Sequence, residues 1–243
     1  MPNELLSFGH LMTPDADRLA YLQALGIDVW QPRGSAPADE VRDDQAAKPA
    51  DFVETSLLDW DHLQRRISHC TDCRLHETRT QTVFGVGDKN ADWMIIGEAP
   101  GQEEDRRGEP FVGRAGKLLD QMLQALGLQR QSVFIANVLK CRPPSNRDPS
   151  GDEAAACRGY LERQIELIQP RIVLAVGRIA AQKLLGSDAP LGRLRGKQHF
   201  LRDGTLPLVV TYHPAYLLRS PSQKRKAWQD LCIAQKIVNE RRK

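Results

Sequence analysis

Four short apolar runs, Trp93–Ile96, Val133–Asn137, Ile172–Val176 and Leu208–Tyr212, are spread along the chain with helix-like stretches between and after them. Runs of four or five residues with little polar alternation read as strands buried on both faces. Between the first two, Leu118, Leu119, Met122, Leu123 and Leu126 share one face at helical spacing. A second helix runs from about Asp152 to Gln169 and stops at Pro170. A third spans about Ile179–Leu185 and the last about Ser222–Val238. Strands alternating with helices predict an α/β domain, a three-layer α/β/α sandwich around a short, mostly parallel four-stranded sheet. Right-handed crossovers bring the four strand C-termini to one edge. That edge then carries Gly97–Gly101, Asn137–Arg142, Gly177 with Arg178, and His213–Arg219.

The compact domain is expected over residues 56–243, with 1–55 as an N-terminal extension and flexible linker. Residues 14–30 read as a short helix followed by a strand-like Ile27–Trp30. Residues 31–51 are rich in Pro, Ala, Asp and Gly and lack apolar periodicity. Charge divides the same way. Residues 1–55 carry 4 Lys/Arg against 10 Asp/Glu, whereas residues 193–243 carry 12 against 3. A basic C-terminal fifth attracts polyanions such as nucleic acid, or is simply a solvated surface with a basic tail. No apolar run approaches the ~20 residues of a membrane span, and the N-terminus has no secretion-signal pattern. The expectation is a cytoplasmic protein with no membrane partner.

Four of the five cysteines have ligand-like spacing. Cys70 and Cys73 form a C-x2-C pair, and Cys141 and Cys157 form a second, wider pair. Four thiolates suit either zinc or an iron–sulfur cluster, and spacing does not decide between them. A disulfide framework does not fit a cytosolic chain of this size. A redox C-x-x-C would open a helix after a strand, whereas Cys70 follows a helix. Cys157 also sits on an apolar helix face with Leu161, Ile165 and Ile168, so core packing is its alternative reading. Cys232, among Leu231, Ile233 and Ile237, reads as core.

The first apolar run ends at once in Gly97-Glu-Ala-Pro-Gly101, a turn with one carboxylate in it. Glu103-Glu104-Asp105 and Pro110-Phe-Val-Gly-Arg-Ala-Gly116 follow. Further on come Asn137-Val-Leu-Lys-Cys141-Arg-Pro-Pro, Cys157 and His213-Pro-Ala-Tyr-Leu-Leu218. With Cys70-x2-Cys73 ahead of them, these pieces in this order resemble a family 4 uracil-DNA glycosylase, the iron–sulfur branch of that superfamily. The resemblance covers about Leu63 to Val238. It implies a monofunctional enzyme that hydrolyses the N-glycosidic bond of uracil in DNA and leaves an abasic site for base excision repair. It also implies a [4Fe–4S] cluster on Cys70, Cys73, Cys141 and Cys157 that is structural, not hydrolytic. The expected partner is uracil-containing DNA, single- or double-stranded, met by a monomer. The sequence names no replication or repair partner.

The resemblance also assigns roles. Phe111 stacks on a uracil taken out of the base stack. Asn137 has both donor and acceptor, so its amide can donate to uracil O4 and accept from N3–H, the opposite of what cytosine offers. His213 donates to uracil O2 as negative charge develops there. The backbone of Gly97, Glu98 and Ala99 meets the pyrimidine. Family 1 enzymes carry a water-activating Asp where this chain has Ala99, so Glu98 is the candidate for electrostatic or water-positioning work. Leu217 is expected to wedge into the gap left by the flipped base, and Arg219, Lys224 and Arg225 to contact phosphates.

Three rival readings exist. A superfamily class that cross-links to uracil-DNA resembles Gly-Glu-Gln-Pro-Gly plus a basic, His-containing insert. Here Ala99 replaces the Gln, and Pro143–Ser150 holds no His. A non-enzymatic DNA-binding module keeps the basic stretch but does not need Phe111, Asn137 and His213 together. A phosphate-binding α/β enzyme needs a P-loop pattern that Gly97–Gly101 lacks.

Overall fold

The computed structural model describes residues 55–201 and 204–241. All of them belong to the unit Asp51–Lys243. The helix expected at 14–30, the strand-like Ile27–Trp30 and the linker at 31–51 lie outside the described residues.

After a short 3₁₀ turn comes α1 (Trp60–Ser68), capped by Asp59, whose carboxylate accepts from His62 N at 2.9 Å. Then follow β1 (Val86–Gly87), β2 (Trp93–Gly97), α2 (Gln102–Arg107), α3 (Arg114–Ala125), β3 (Phe134–Asn137) and α4 (Gly151–Ile168). The chain continues through β4 (Ile172–Val176), α5 (Arg178–Leu185), α6 (Leu191–Leu194), β5 (Gln198–Leu201) and β6 (Leu206–Thr211). It ends with α7 (Pro214–Arg219) and α8 (Lys224–Arg241).

The strands form one sheet in the order β1-β3-β2-β4-β6-β5. The four central strands are the expected ones and pair in parallel. The expected count of four is corrected to six, because β1 and β5 add antiparallel edges. Neither edge strand carries a buried apolar run. β1 has two residues, and Gln198-His-Phe-Leu201 alternates exposed and half-buried positions.

The three layers follow from side-chain alternation. One sheet face presents Met94, Ile96, Phe134, Val173 and Leu208 to the apolar stripe of α4, Leu161, Ile165 and Ile168, and to Ala180 and Ala181 of α5. The other presents Trp93, Ile95, Ile135, Leu174 and Val209 to Leu119 and Leu123 of α3 and to Leu231, Ala234 and Ile237 of α8. Helices on both faces force the strands to be apolar throughout. Cys232, expected in this core, instead faces solvent.

The connection after β2 leads to β3 on one side, and the connection after β4 leads to β6 on the other. The C-termini of β2 and β4 therefore flank a topological switch point, where an open α/β sheet opens a crevice.

Candidate active site

Gly97 ends β2 and pairs in register with Asn137 at the end of β3. The ladder continues past both strands, with Val138 N donating to Gly97 O at 2.9 Å and Leu139 N to Glu98 O at 3.0 Å. A Cβ on Gly97 would lie 2.4 Å from Asn137 Oδ1 and 2.6 Å from Phe111 Cζ. Only glycine lets the amide and the ring close over the strand end.

Asn137 is buried, and its carbonyl accepts from Lys140 Nζ at 2.9 Å. Its side-chain amide has no hydrogen-bond partner among the described residues. An amide held this way is oriented by its backbone and open to a ligand.

Phe111 has φ of +53°, a left-handed backbone that costs a bulky L residue about 1–3 kcal/mol. Three contacts hold it there. Arg130 Nη2 donates to Pro110 O, and Val112 N donates to Glu104 Oε1 at 3.0 Å. On the third side, α3 begins so close that a Cβ on Gly116 would sit 1.7 Å from Phe111 O. The glycines of Pro110–Gly116 thus serve one strained loop that aims a ring at the strand ends.

His213 follows β6 and caps α7, its Nδ1 accepting from Ala215 N at 3.1 Å. With Nδ1 unprotonated, the neutral ring carries its proton on Nε2, a donor. Pro214 occupies the first turn of α7 and holds His213 in an extended backbone, φ −66° and ψ 136°. Burial first, and then the positive charge of Arg219, push the His213 pKa down to about 4, against an opposing pull from Glu104. The ring is therefore neutral at pH 7. It stacks on Phe111 with centroids 5.6 Å apart and planes at 28°.

Glu98 lies at the switch point. Burial and the neighbouring Asp148 raise its pKa to about 7, with Arg178 pulling the other way. Arg178 itself pairs with Asp148 at 2.7 Å. A carboxyl poised near neutrality in a cleft has the signature of a working group.

These residues share one cavity of about 490 Å³, lined by Glu98, Ala99, Phe111, Asn137, His213 and Arg219 among others. Gly97 lies beneath it. Lys224 and Arg225 are exposed at the start of α8. Leu217, expected as the wedge, is only 1 % exposed and faces inward in this structure. The face of α7 that lines the cavity is Ala215 and Arg219. Leu217 is two residues from each, about half a turn round the helix, and α7 packs on α3. Tyr216 and Leu218 are the exposed apolar side chains of this helix, at 38 % and 37 %.

Glu104 and Asp148 also line the cavity and were given no role from sequence. Glu104 stood in a motif already singled out, but its bonds to Val112 and Gly113 span a fold that spacing does not reveal.

None of the five cysteines is in a disulfide. Cys70 follows α1, Cys73 opens a 3₁₀ turn, Cys141 follows β3 and Cys157 sits in α4. Cys73, Cys141 and Cys157 pack into one apolar cluster with Leu75, Leu139 and Ala154, and Ala99 from the cavity wall joins them. Burial raises the Cys141 thiol, opposed by Arg79 and reinforced weakly by Cys73 and Cys70. Burial likewise pushes the Cys157 thiol up to about 12, opposed by Lys140 and reinforced by Cys141 and Cys73. Arg79 Nη1 donates to Cys141 Sγ at 3.0 Å, and burial pushes the Lys140 amine down to about 7 against the opposing pull of Cys157 and Cys141 beside it. Among the described residues, no group of three or more His, Cys, Asp or Glu is drawn together tightly enough to grip a single metal ion. Four free cysteines, three of them buried and Cys73 half-buried, with Arg79 donating to Cys141 Sγ, form a donor set that fits a thiolate-bound inorganic core.

Residues 84–232 match the family model of the uracil DNA glycosylase superfamily. The chain is 43% identical over 176 residues to a type-4 uracil-DNA glycosylase of Archaeoglobus fulgidus, covering 70% of this chain and 88% of that protein. It is 43% identical over 182 residues to one of Pyrobaculum aerophilum, covering 72% and 93%. A third, from Thermotoga maritima, is 42% identical over 181 residues, covering 73% and 94%.

Proposed function

The chain belongs to the uracil-DNA glycosylase superfamily, in its type-4 branch, and from this we infer that it excises uracil from DNA by hydrolysis of the N-glycosidic bond. The observation that carries the reading is the shared cavity, which gathers an unpartnered amide, an aromatic ring and a neutral imidazole donor. The water oxygen bonds to C1′, the C1′–N1 electron pair leaves with the base, and the water proton ends on uracil. Release of uracil from labelled single- and double-stranded oligonucleotides, read as alkali-labile abasic sites, tests this. No product from folded protein overturns it.

Phe111 stacks on the base and Asn137 reads its edge. His213 Nε2 donates to O2 as that oxygen gains charge. A preorganised donor aimed at developing charge is the strongest single device available here. Glu98 faces the sugar, where positive charge builds as the bond breaks, and it also positions the water. No lysine is among the described residues lining the cavity, and Lys140, beneath Asn137, donates to Asn137 O at 2.9 Å and to Gln164 Oε1 at 2.6 Å. It is committed to those bonds, which supports a hydrolytic enzyme without a lysine adduct.

The Glu98 carboxylate works only when ionised. Uracil release is therefore expected to rise with pH through about 7 and then level off, whereas Glu98→Gln is slow and flat. Stability runs the other way. The folded pKa lies above the ordinary glutamate value of 4.5, so the carboxyl's contribution is present below pH 4.5 and lost as pH rises through 7. Glu98→Gln is expected to melt higher than wild type at pH 8, by about 1–2 kcal/mol after screening of a part-exposed group. Thermal melts and single-turnover rates at matched pH check both halves.

Cys70, Cys73, Cys141 and Cys157 would hold the [4Fe–4S] cluster, which supplies order to the loops and takes no part in hydrolysis. Cys141→Ala is expected to lose the broad brown visible absorption and most soluble protein. Full retention of iron and colour would remove Cys141 from the ligand set. Arg219, Lys224 and Arg225 contact DNA phosphates. Five free cysteines suit a reducing, cytoplasmic setting, and no helix among the described residues is long and apolar enough to cross a membrane.

A further inference from the structure

The exposed ring of Tyr216 lies against Tyr212, centroids 5.2 Å apart and planes 20° from parallel. Tyr212 is itself anchored. The Arg195 guanidinium stands 5.2 Å from its ring centroid, and its hydroxyl donates to Gln223 Oε1 at 3.4 Å. Arg195 is in turn fixed by both carboxylate oxygens of Asp230, at 3.0 and 2.8 Å, and by Lys226 O at 2.6 Å. Asp230 is fully buried. A continuous stack therefore runs from the core outward through Asp230, Arg195 and Tyr212 to Tyr216. One face of the Tyr216 ring is backed, and the residue is 38 % exposed. Arg219 lies three residues on, at the cavity, and Lys224 and Arg225 are exposed at the start of the next helix. A held aromatic ring flanked by cations is the chemistry that receives a nucleobase together with its phosphates.

We propose that Tyr216 is a second nucleobase subsite, stacking the base next to the extruded uridine in the same strand. The inference rests on the uracil-excision reading. It differs from a wedge, which fills a gap in a duplex, because a stacking platform acts on a single strand where no gap exists. Leu218, exposed in the same helix, has no π face, and no ring stacks behind it among the described residues.

The test uses the full-length protein and single-stranded oligonucleotides carrying one uracil. The nucleotide on its 5′ or its 3′ side is intact or replaced by an abasic spacer, and kcat/KM for uracil release is the readout. With wild type, the spacer on one side is expected to cost about tenfold. Tyr216→Ala is expected to cost about tenfold on the intact strand and to lose nothing more from the spacer. Tyr216→Phe and Tyr216→Trp keep the ring and the spacer penalty. The proposal is overturned by additive losses, by a Tyr216→Phe defect equal to that of alanine, or by indifference of the wild type to both spacers. The wild-type comparison needs no variant, so a Tyr216→Ala protein that fails to fold leaves the proposal open to refutation. If wild type releases no uracil from any strand, the excision reading itself has failed, which is seen before any spacer is compared.

Discussion

His213→Ala is expected to slow uracil release by about 10²–10³-fold, with oligonucleotide binding little changed. The loss matches what removal of one preorganised donor to a developing anion costs elsewhere. The donor is defined by a single hydrogen bond, because Ala215 N occupies Nδ1 and leaves the proton on Nε2. The ring's pKa of about 4 means that the wild-type rate shows no histidine-linked fall above about pH 5. Alanine also removes the cap of α7, so His213→Asn is the control. Its side-chain oxygen caps a helix well, so it should melt like wild type yet stay slow. Single-turnover kinetics with thermal melts separate the two effects. A His213→Ala enzyme at wild-type speed would mean that the leaving base is stabilised elsewhere.

Asn137→Asp is expected to collapse the preference for uracil over cytosine. A site built for one hydrogen-bond pattern discriminates by ~10⁴ or more in favourable cases. An ionised carboxylate accepts only, so the bond to O4 is lost and uracil release falls steeply. A protonated one can donate to cytosine N3 and accept from its amino group. Competing uracil and cytosine substrates in one strand give the ratio directly, and an unchanged ratio would remove Asn137 as the edge reader. The neighbouring Gly97 leaves room for either side chain, and Lys140 fixes the same backbone carbonyl in both.

The parts of this molecule legible in its sequence are those where burial is complete. β2, β3, β4 and β6 are covered on both faces and read as unbroken apolar runs, and α3 and α4 show clean stripes. β5 was hidden because an edge strand faces water, and α2, Gln-Glu-Glu-Asp-Arg-Arg, because it has no apolar stripe. The inward orientation of Leu217 was not legible because it depends on the phase of α7, which begins at Pro214. Glu104 acts through backbone amides eight and nine residues on, and the Tyr216 support draws on a carboxylate in α8. Contacts of that kind exist only once the chain has folded.

The position of Pro214 has a consequence for how the enzyme meets DNA. Its ring bars the preceding residue from helical backbone angles, so the backbone of His213 is restricted by covalent geometry as well as by packing. A group restricted in this way needs little ordering when substrate arrives, and the entropy of aligning it has been met during folding. The protein's His213 should therefore superimpose with and without a bound nucleotide, and the adjustment on binding falls to the DNA.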